Sequence, residues 1–431
     1  MTLTRPPPPA TQRPALVFSG VLLALCGLAR GMFDVAAQHL TGSRADSLHA
    51  AFYAPFLLAA GYGFTPLQAK SAAYTGLGAC FLASGVLIAA AVLKSFGMAC
   101  GLAALLSAGI ASVELVANCT IARDPRPAAH LALVNGFGAL ARVLGSVVAS
   151  KGVFVHGEFS ATNAGYAALG VTVLSLLTCG AVWGVSLPQP PRTTNAGRTT
   201  SWVATLIAFP VGFLALGAQA SLVAHTTRFL AQSTASVAAV PTYSAPDLAL
   251  GAVAVAAAAQ LAAYTYLRKM DPSAALAMHA FLAAVFAVLV AVITRTGGIV
   301  CLYLLSLSQA ACFPLFFAVA TAGTSNKAIA GGVVIAATSG GSVIPLIQRL
   351  VASATTIPTS FPLLVAGFIP LSVYAFGMWI YETKRTGGEM VAWHDEWCER
   401  PTIAVHQPEW QTYDDDLELV SREVSRERIQ A

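Results

Sequence analysis

The sequence predicts an all-α integral membrane protein whose twelve transmembrane helices form two bundles of six. Three observations support this fold class. Hydrophobic residues make up 56% of the 431 residues and charged residues only 10%, whereas a soluble domain has roughly a quarter charged residues. The apolar residues form long uncharged stretches of about the 20 residues that a helix needs to cross a bilayer. A polar, proline-rich segment divides these stretches into six and six.

The composition also argues against several functions. The net charge of +5 is dispersed, and no basic patch contains interleaved aromatic residues, so we expect no nucleic-acid partner. Seven of the eight cysteines lie in apolar stretches without metal-ligand spacing, which is typical of small buried hydrophobic residues. The sequence shows no nucleotide-binding loop or nucleophile motif. We therefore expect no enzyme, no metal site and no cofactor.

Twelve apolar stretches are predicted to span the membrane. In chain order they are residues 15–40, 48–64, 71–93, 97–122, 128–150, 163–187, 201–230, 246–267, 273–294, 298–322, 328–349 and 361–381. The predicted domains are a proline-rich N-terminus (1–14), a first bundle (15–187), a linker (188–200), a second bundle (201–381) and a polar tail (382–431).

The positions of lysine and arginine predict the orientation. With both termini in the cytoplasm, sixteen of the 24 basic residues lie on the inner side, five lie on the outer side and three lie within spans. An excess of basic residues in cytoplasmic segments is the usual pattern. We therefore expect cytoplasmic termini and cytoplasmic placement of the linker and the tail. As separate expectations, the protein would be a monomer in the plasma membrane.

Small residues and helix breakers occur throughout the spans. Runs of alanine and glycine permit close helix packing in any membrane bundle. Prolines and glycines inside spans predict local kinks. These residues are Pro55, Pro210, Pro314, Pro345, Gly340 and Gly341.

Ionisable residues at membrane depth are the strongest functional signal. Of the 19 acidic residues, Asp34 and Glu114 lie well inside spans, where a charge costs at least about 2.5–3.5 kcal/mol. Arg30 lies four residues before Asp34, and this spacing allows a pair along one helix face. Glu114 and Asn118 have the same spacing, and Asn135 and Arg142 are seven residues apart. These residues either line a cavity or form a structural ion-pair network.

The chemistry of these groups suits transport of a polar solute. Desolvation favours the protonated form of a carboxyl group and a nearby guanidinium favours the ionised form, so such a group can exchange a proton. Amide side chains both donate and accept hydrogen bonds, as a polyhydroxylated ligand requires. In the second bundle, Gln219 and Thr226 share a helix face. Arg228 near the outer end is either a charge partner or extends towards the membrane surface.

Several of these residues belong to recognisable motifs. The segment 109–145 contains E-x-x-x-N at Glu114 and Asn118, and N-x-F-G beginning at Asn135. The first span has Gly27 and Asp34, and the seventh has G-A-Q ending at Gln219, with Arg228 before a phenylalanine. These motifs resemble the fucose permease (fucose:proton symporter) family of the major facilitator superfamily. The similarity is collinear over nearly all twelve spans.

The resemblance implies the major facilitator fold, with a central cavity between the two bundles. It implies proton-coupled uptake of a monosaccharide by alternating access. Asp34 and Glu114 would take part in proton coupling. By this resemblance the solute would be contacted by Asn118, Asn135 and Gln219. The position of Arg142 at membrane depth makes it a further candidate solute contact, with Arg30 and Arg228 as candidate charge partners.

The sequence also departs from the family pattern. Residues 61–70, GYGFTPLQAK, replace the G-x-x-x-D-R-x-G-R loop between the second and third spans, and Gln260 stands where the matching arginine is expected. Arg142 has no counterpart in the family pattern. It would either recruit an anionic solute such as a sugar acid or neutralise Glu114. Two alternatives therefore stay open: a transporter of another small solute, or a transporter-like receptor that does not transport.

Overall fold

The computed structural model is almost entirely helical. It describes residues 12–41, 45–59, 61, 73–78, 80, 95–124, 127–155, 158–160, 202–235, 244–293, 295–322, 324 and 327–386, with isolated positions between 163 and 178. The predicted linker, the tail beyond residue 386, most of the third span and much of the sixth span lie outside these residues. The predicted domain boundaries therefore stay predictions.

Among the described residues of the first half, four helices with defined bounds precede a short hairpin. The helices are α1 (Gln12–Thr41), α2 (Ala45–Tyr53), α3 (Phe96–Ile121) and α4 (Pro127–Val147). A 3₁₀ turn, Ala54–Leu57, continues α2, and a π-helical turn, Val148–Val153, continues α4. Strands β1 (Phe154–Val155) and β2 (Glu158–Phe159) pair antiparallel.

The second half contains nine helices in its described residues. They are α5 (Trp202–Ala235), α6 (Ala245–Tyr266), α7 (Pro272–Val292), α8 (Arg295–Gln309), α9 (Cys312–Ala322), α10 (Lys327–Ala337), α11 (Ile344–Ala354), α12 (Ile357–Ser360) and α13 (Val365–Thr386). Two 3₁₀ segments, Thr338–Ser342 and Phe361–Leu364, interrupt this order.

The fold class predicted from hydropathy is confirmed. Among the described residues, nine helical segments are long and apolar enough to cross a membrane, and they match nine of the twelve predicted spans. The second span is described only as α2 and its 3₁₀ continuation. The full count of twelve therefore stays a prediction.

Most of the predicted kinks coincide with breaks in regular helix. Pro55 lies in the 3₁₀ turn after α2, and Pro314 lies in the first turn of α9, where its missing N–H removes no helical hydrogen bond. Gly340 and Gly341 lie in the 3₁₀ segment between α10 and α11. Pro210 differs, because α5 continues through it as one helix.

Glycine permits an unusually close contact between α1 and α4. Gly27 lies against the backbone oxygen of Gly138, and Gly31 lies against that of Arg142. The Ser146 hydroxyl donates to the carbonyl oxygen of Gly31 at 3.2 Å. Asp34 lies three residues after Gly31 and therefore on the same face of α1, so this contact brings Asp34 towards α4.

We expect Gly27→Ala to destabilise the protein, because a methyl group would overlap the Gly138 oxygen and force the helices apart. Overpacking of this kind typically costs about 1–3 kcal/mol. The measurement is thermal unfolding in detergent followed by intrinsic fluorescence. The control is Gly101→Ala on α3, where an added Cβ meets no atom within 4 Å, so its stability should stay equal or rise. Equal losses in both variants would contradict the close-contact explanation.

The two halves contact each other along several helices. In particular, α4 packs on α6 and α9, α3 packs on α10, and α2 packs on α11 and on the 3₁₀ segment before it. Gly341 in that segment lies against the ring of Tyr53. Towards the predicted inner ends, the Cys119 thiol lies 3.3 Å from the Lys327 carbonyl oxygen as a hydrogen-bond donor. These contacts enclose a space between the halves.

Candidate functional site

A cavity of about 640 Å³ lies between the two halves of the described structure. This volume is within the range of roughly 300–1,000 Å³ that is typical of small-molecule sites. Its polar lining from the first half is Arg30, Asp34, Tyr53, Glu114, Asn135, Arg142, Ser146, Ser150 and Lys151. Its polar lining from the second half includes Gln219, Thr226, Gln260, Ser306 and Gln309.

Two ion pairs join three helices of the first half at the cavity wall. The Nε atom of Arg142 on α4 donates to Oδ2 of Asp34 on α1 at 2.8 Å, and its Nη2 atom lies 2.6 Å from the same oxygen. The Nη2 atom of Arg30 on α1 lies 3.1 Å from Oε1 of Glu114 on α3. Each carboxylate at membrane depth therefore has a guanidinium partner from another helix.

This pairing differs from the one that helix spacing allows. Arg30 does not pair with Asp34 one turn away, because it pairs with Glu114 of α3. Arg142 neutralises Asp34 and not Glu114. The physical reason is the glycine-lined contact of α1 and α4, which places the backbone of Arg142 against Gly31 and its guanidinium beside Asp34.

The guanidinium of Arg30 also has aromatic neighbours. Its central carbon lies 5.8 Å from the ring centroid of Phe52 and 5.5 Å from that of Phe56. Both rings are fully buried. A cation over an aromatic face within about 6 Å is stabilised by the ring quadrupole. Arg30 is therefore held by a carboxylate and by two rings.

The predicted amide residues occupy two different positions. Asn135 lines the cavity, and its Nδ2 atom donates to Oδ1 of Asn118 at 2.8 Å. Asn118 is fully buried, is not part of the cavity lining, and donates to the carbonyl oxygen of Glu114 at 2.9 Å. In this structure Asn118 therefore positions Asn135 through a hydrogen bond.

On the opposite wall, two glutamines join α5 to the end of α8. The Nε2 atom of Gln219 donates to the carbonyl oxygen of Gln309 at 3.0 Å, and both residues line the cavity. Gln260, which replaces an arginine of the family loop pattern, lies inside α6 and also lines the cavity. The second half therefore presents amides and hydroxyls to the cavity, complementing the charged wall of the first half.

Arg228 belongs to a charge cluster away from the cavity, formed with Asp46 and Arg349. The Oδ2 atom of Asp46 on α2 lies 2.9 Å from Nη1 of Arg228 on α5 and 3.0 Å from Nη1 of Arg349 on α11. The Asp46 side chain is 1% exposed. The cluster connects the two halves on the side that the sequence predicts to face outwards.

Sequence reasoning did not identify this cluster. Asp46 precedes the second apolar stretch and so resembles an ordinary loop residue. The count of basic residues on the two sides of the membrane places Arg349 on the outer surface. The sequence does contain a signal for this cluster, because Asp46, Arg228 and Arg349 lie near the predicted outer ends of three different spans.

The described residues form two halves around a central cavity, as the resemblance to the major facilitator superfamily implies. Solved structures of that superfamily show the same fold. The structure of the transporter FucP in the outward conformation matches with a TM-score of 0.69 at 16% identity, covering 84% of this chain and 98% of that one. A structure of the E. coli fucose:proton symporter FucP gives a TM-score of 0.66 at 16% identity, covering 84% and 98%.

A second transporter gives a similar match. The human organic anion transporter MFSD10 (TETRAN) matches with a TM-score of 0.67 at 16% identity, covering 86% of this chain and all of that chain (100%). No family model matches the sequence, and no curated protein matches it at the sequence level. The comparisons therefore establish the fold and leave the solute open.

Proposed function

We propose that the chain is a secondary transporter that carries a monosaccharide together with protons by alternating access. The observation that carries this proposal is the pair of carboxylates, Asp34 and Glu114, at the wall of a cavity between two halves. Each is held by one guanidinium. A protonated carboxyl group would release its guanidinium, so proton binding can change what the cavity binds.

The polar lining of the second half supports a hydroxylated solute. Gln219, Gln260 and Gln309 can each donate and accept hydrogen bonds, and Thr226 and Ser306 add hydroxyl groups. One structural neighbour is a fucose:proton symporter, which supports the same assignment. The proposal includes Asn135, Gln219 and Arg142 as solute contacts, with Asn118 supporting Asn135.

The cluster of Asp46, Arg228 and Arg349 supports the alternating-access part of the proposal. It joins the two halves at one end of the cavity through charged contacts, which can break without unfolding a helix. In the proposed orientation this end faces out of the cell, with both termini in the cytoplasm and the protein in the plasma membrane. The proposal needs no cofactor besides the proton and no second copy of the chain.

The test is uptake of labelled neutral sugars and sugar acids into proteoliposomes with an inward proton gradient. We expect at least one solute to accumulate, and we expect a protonophore to abolish accumulation. Asp34→Asn and Glu114→Gln should each remove the response to the gradient, because neither side chain can exchange a proton.

Two results would contradict the proposal. Uptake that persists after collapse of the proton gradient would indicate another coupling mechanism. Binding of a solute by the purified protein without any filling of vesicles would indicate a receptor that does not transport. The control variant is Lys384→Gln, since Lys384 is exposed near the end of α13 and does not line the cavity.

A further inference from the structure

The charged wall of the cavity has more hydrogen-bond donors than acceptors. A guanidinium carries five N–H groups. The Nε atom of Arg30 is buried and makes no hydrogen bond with any residue in the described part of the chain, whereas its Nη2 atom lies 3.1 Å from Oε1 of Glu114. Arg142 donates from Nε to a single oxygen of Asp34, although its Nη2 atom also lies close to that oxygen. Both guanidiniums could therefore bind additional acceptor oxygens.

A carboxylate is the ligand that fits these donors best. Arginine presents parallel N–H groups that match the two oxygens of a carboxylate, and such bonds are about twice as strong as those between neutral groups. A sugar hydroxyl presents one oxygen without charge. The charged wall therefore favours an anionic group on the solute, and the opposite wall of amides and hydroxyls suits its remaining hydroxyl groups.

The two ion pairs are not equivalent. Arg30 is held by Glu114 and also lies over the rings of Phe52 and Phe56. Asp34 is the carboxylate within ion-pair distance of Arg142 among the described residues. Protonation of Asp34 would therefore leave Arg142 as the cavity cation without a counter-ion.

We propose that the carried monosaccharide bears a carboxylate, as a sugar acid does, and that this carboxylate replaces Asp34 on Arg142. This inference rests on the proposed function and specifies its substrate class. A proton from the outer solution binds the Asp34 carboxylate and forms a neutral carboxylic acid. The ion pair with Arg142 breaks, and the solute carboxylate then pairs with Arg142.

The charge balance of this exchange leads to a second expectation. The two carboxylates and two guanidiniums of the wall sum to zero, and the loaded cavity gains one proton and one anion, so it also sums to zero. A neutral cavity avoids the large cost of an uncompensated charge in a low-dielectric interior. The transport step is therefore electroneutral, whereas symport of a neutral sugar with one proton would move one positive charge.

The first experiment measures binding to the purified full-length protein at pH 7.5. The probes are two matched pairs, D-glucuronate with D-glucose and D-galacturonate with D-galactose, in which the members differ only at the sixth carbon. Asp34→Asn imitates the protonated carboxyl group and should bind at least one of the acids about tenfold or more tightly than the wild-type protein. The double variant Asp34→Asn/Arg142→Gln should lose that gain.

The second experiment measures uptake of the same four probes into proteoliposomes at a fixed pH difference, with a potential set by potassium and valinomycin. One net charge would change the accumulation ratio about 50-fold per 100 mV. We expect acid accumulation to change less than twofold. Accumulation of a neutral sugar that rises with an inside-negative potential would overturn this inference and leave the proposed function standing.

The remaining outcomes also decide the matter. Equal binding of sugars and acids by Asp34→Asn, or binding of no probe by that variant, would overturn the inference. If Asp34→Asn binds sugars and acids equally and a neutral sugar is taken up, the proposed function stands without this inference. Proton-independent uptake of an acid would overturn both proposals.

Discussion

Replacing Arg142 with glutamine is expected to cost roughly 3 kcal/mol of stability and to abolish proton-coupled uptake. The substitution leaves Asp34 without its guanidinium in a side-chain environment that is only 12% exposed. Loss of one member of a buried ion pair typically costs about 3–5 kcal/mol, and the partial exposure of this pair favours the lower end. Thermal unfolding in detergent and vesicle uptake measure the two effects.

The double variant Arg142→Gln/Asp34→Asn separates stability from function. It replaces two charges by two neutral amides and leaves no uncompensated buried charge, so most of the lost stability should return. Uptake should stay absent, because the proton-exchanging group and the cation are both missing. A double variant as unstable as Arg142→Gln would contradict the ion-pair explanation, and restored uptake would contradict the proposed role of both residues.

Removing both arginines of the Asp46 cluster is expected to harm the protein more than removing Asp46 itself. The Asp46 side chain is 1% exposed, whereas Arg228 and Arg349 are 35% and 43% exposed. The variant Arg228→Gln/Arg349→Gln leaves a buried carboxylate without a cation and should lose about 3–5 kcal/mol. Asp46→Asn leaves two guanidiniums that still reach solvent or headgroups, so it should lose about 1 kcal/mol.

The stability control for this comparison is the exposed pair of Lys151 and Asp247. It also joins the two halves, with N–O separation of 3.0 Å, but its side chains are 66% and 38% exposed. Lys151→Gln should therefore change stability by less than about 1 kcal/mol. If Asp46→Asn proved as damaging as the double arginine variant, the burial of Asp46 would not be the deciding factor.

The fold was accessible from the sequence because hydropathy directly reports what a bilayer requires. Nine described helical segments match predicted spans, and the proposed kinks at Pro55 and Gly340 are 3₁₀ segments. The cavity lining could be predicted for the same reason, since a charge or an amide at membrane depth costs free energy unless it faces a cavity or a partner. Asp34, Glu114, Asn135, Arg142 and Gln219 all line the cavity.

The partners of these residues could not be predicted. Spacing along one helix indicates which side chains share a face, but it does not indicate which helix packs against that face. Arg30 therefore had Asp34 as its obvious partner, although Glu114 of α3 is the residue that it contacts. The Asp46 cluster was missed for a related reason, because its three members come from α2, α5 and α11 and are far apart in the sequence.

The 3₁₀ segment Thr338–Ser342 has a mechanical consequence. It touches the short 3₁₀ turn after α2, so a 3₁₀ segment from each half lies at this contact. Because 3₁₀ hydrogen bonds have poorer geometry than α-helical ones, bending would concentrate there and α11 would move as a lever. Arg349 lies about 10 Å along that lever at 1.5 Å per residue, so a swing of about 20° displaces it by roughly 3 Å. A modest tilt of α11 at this 3₁₀ segment would therefore be enough to separate Arg349 from Asp46.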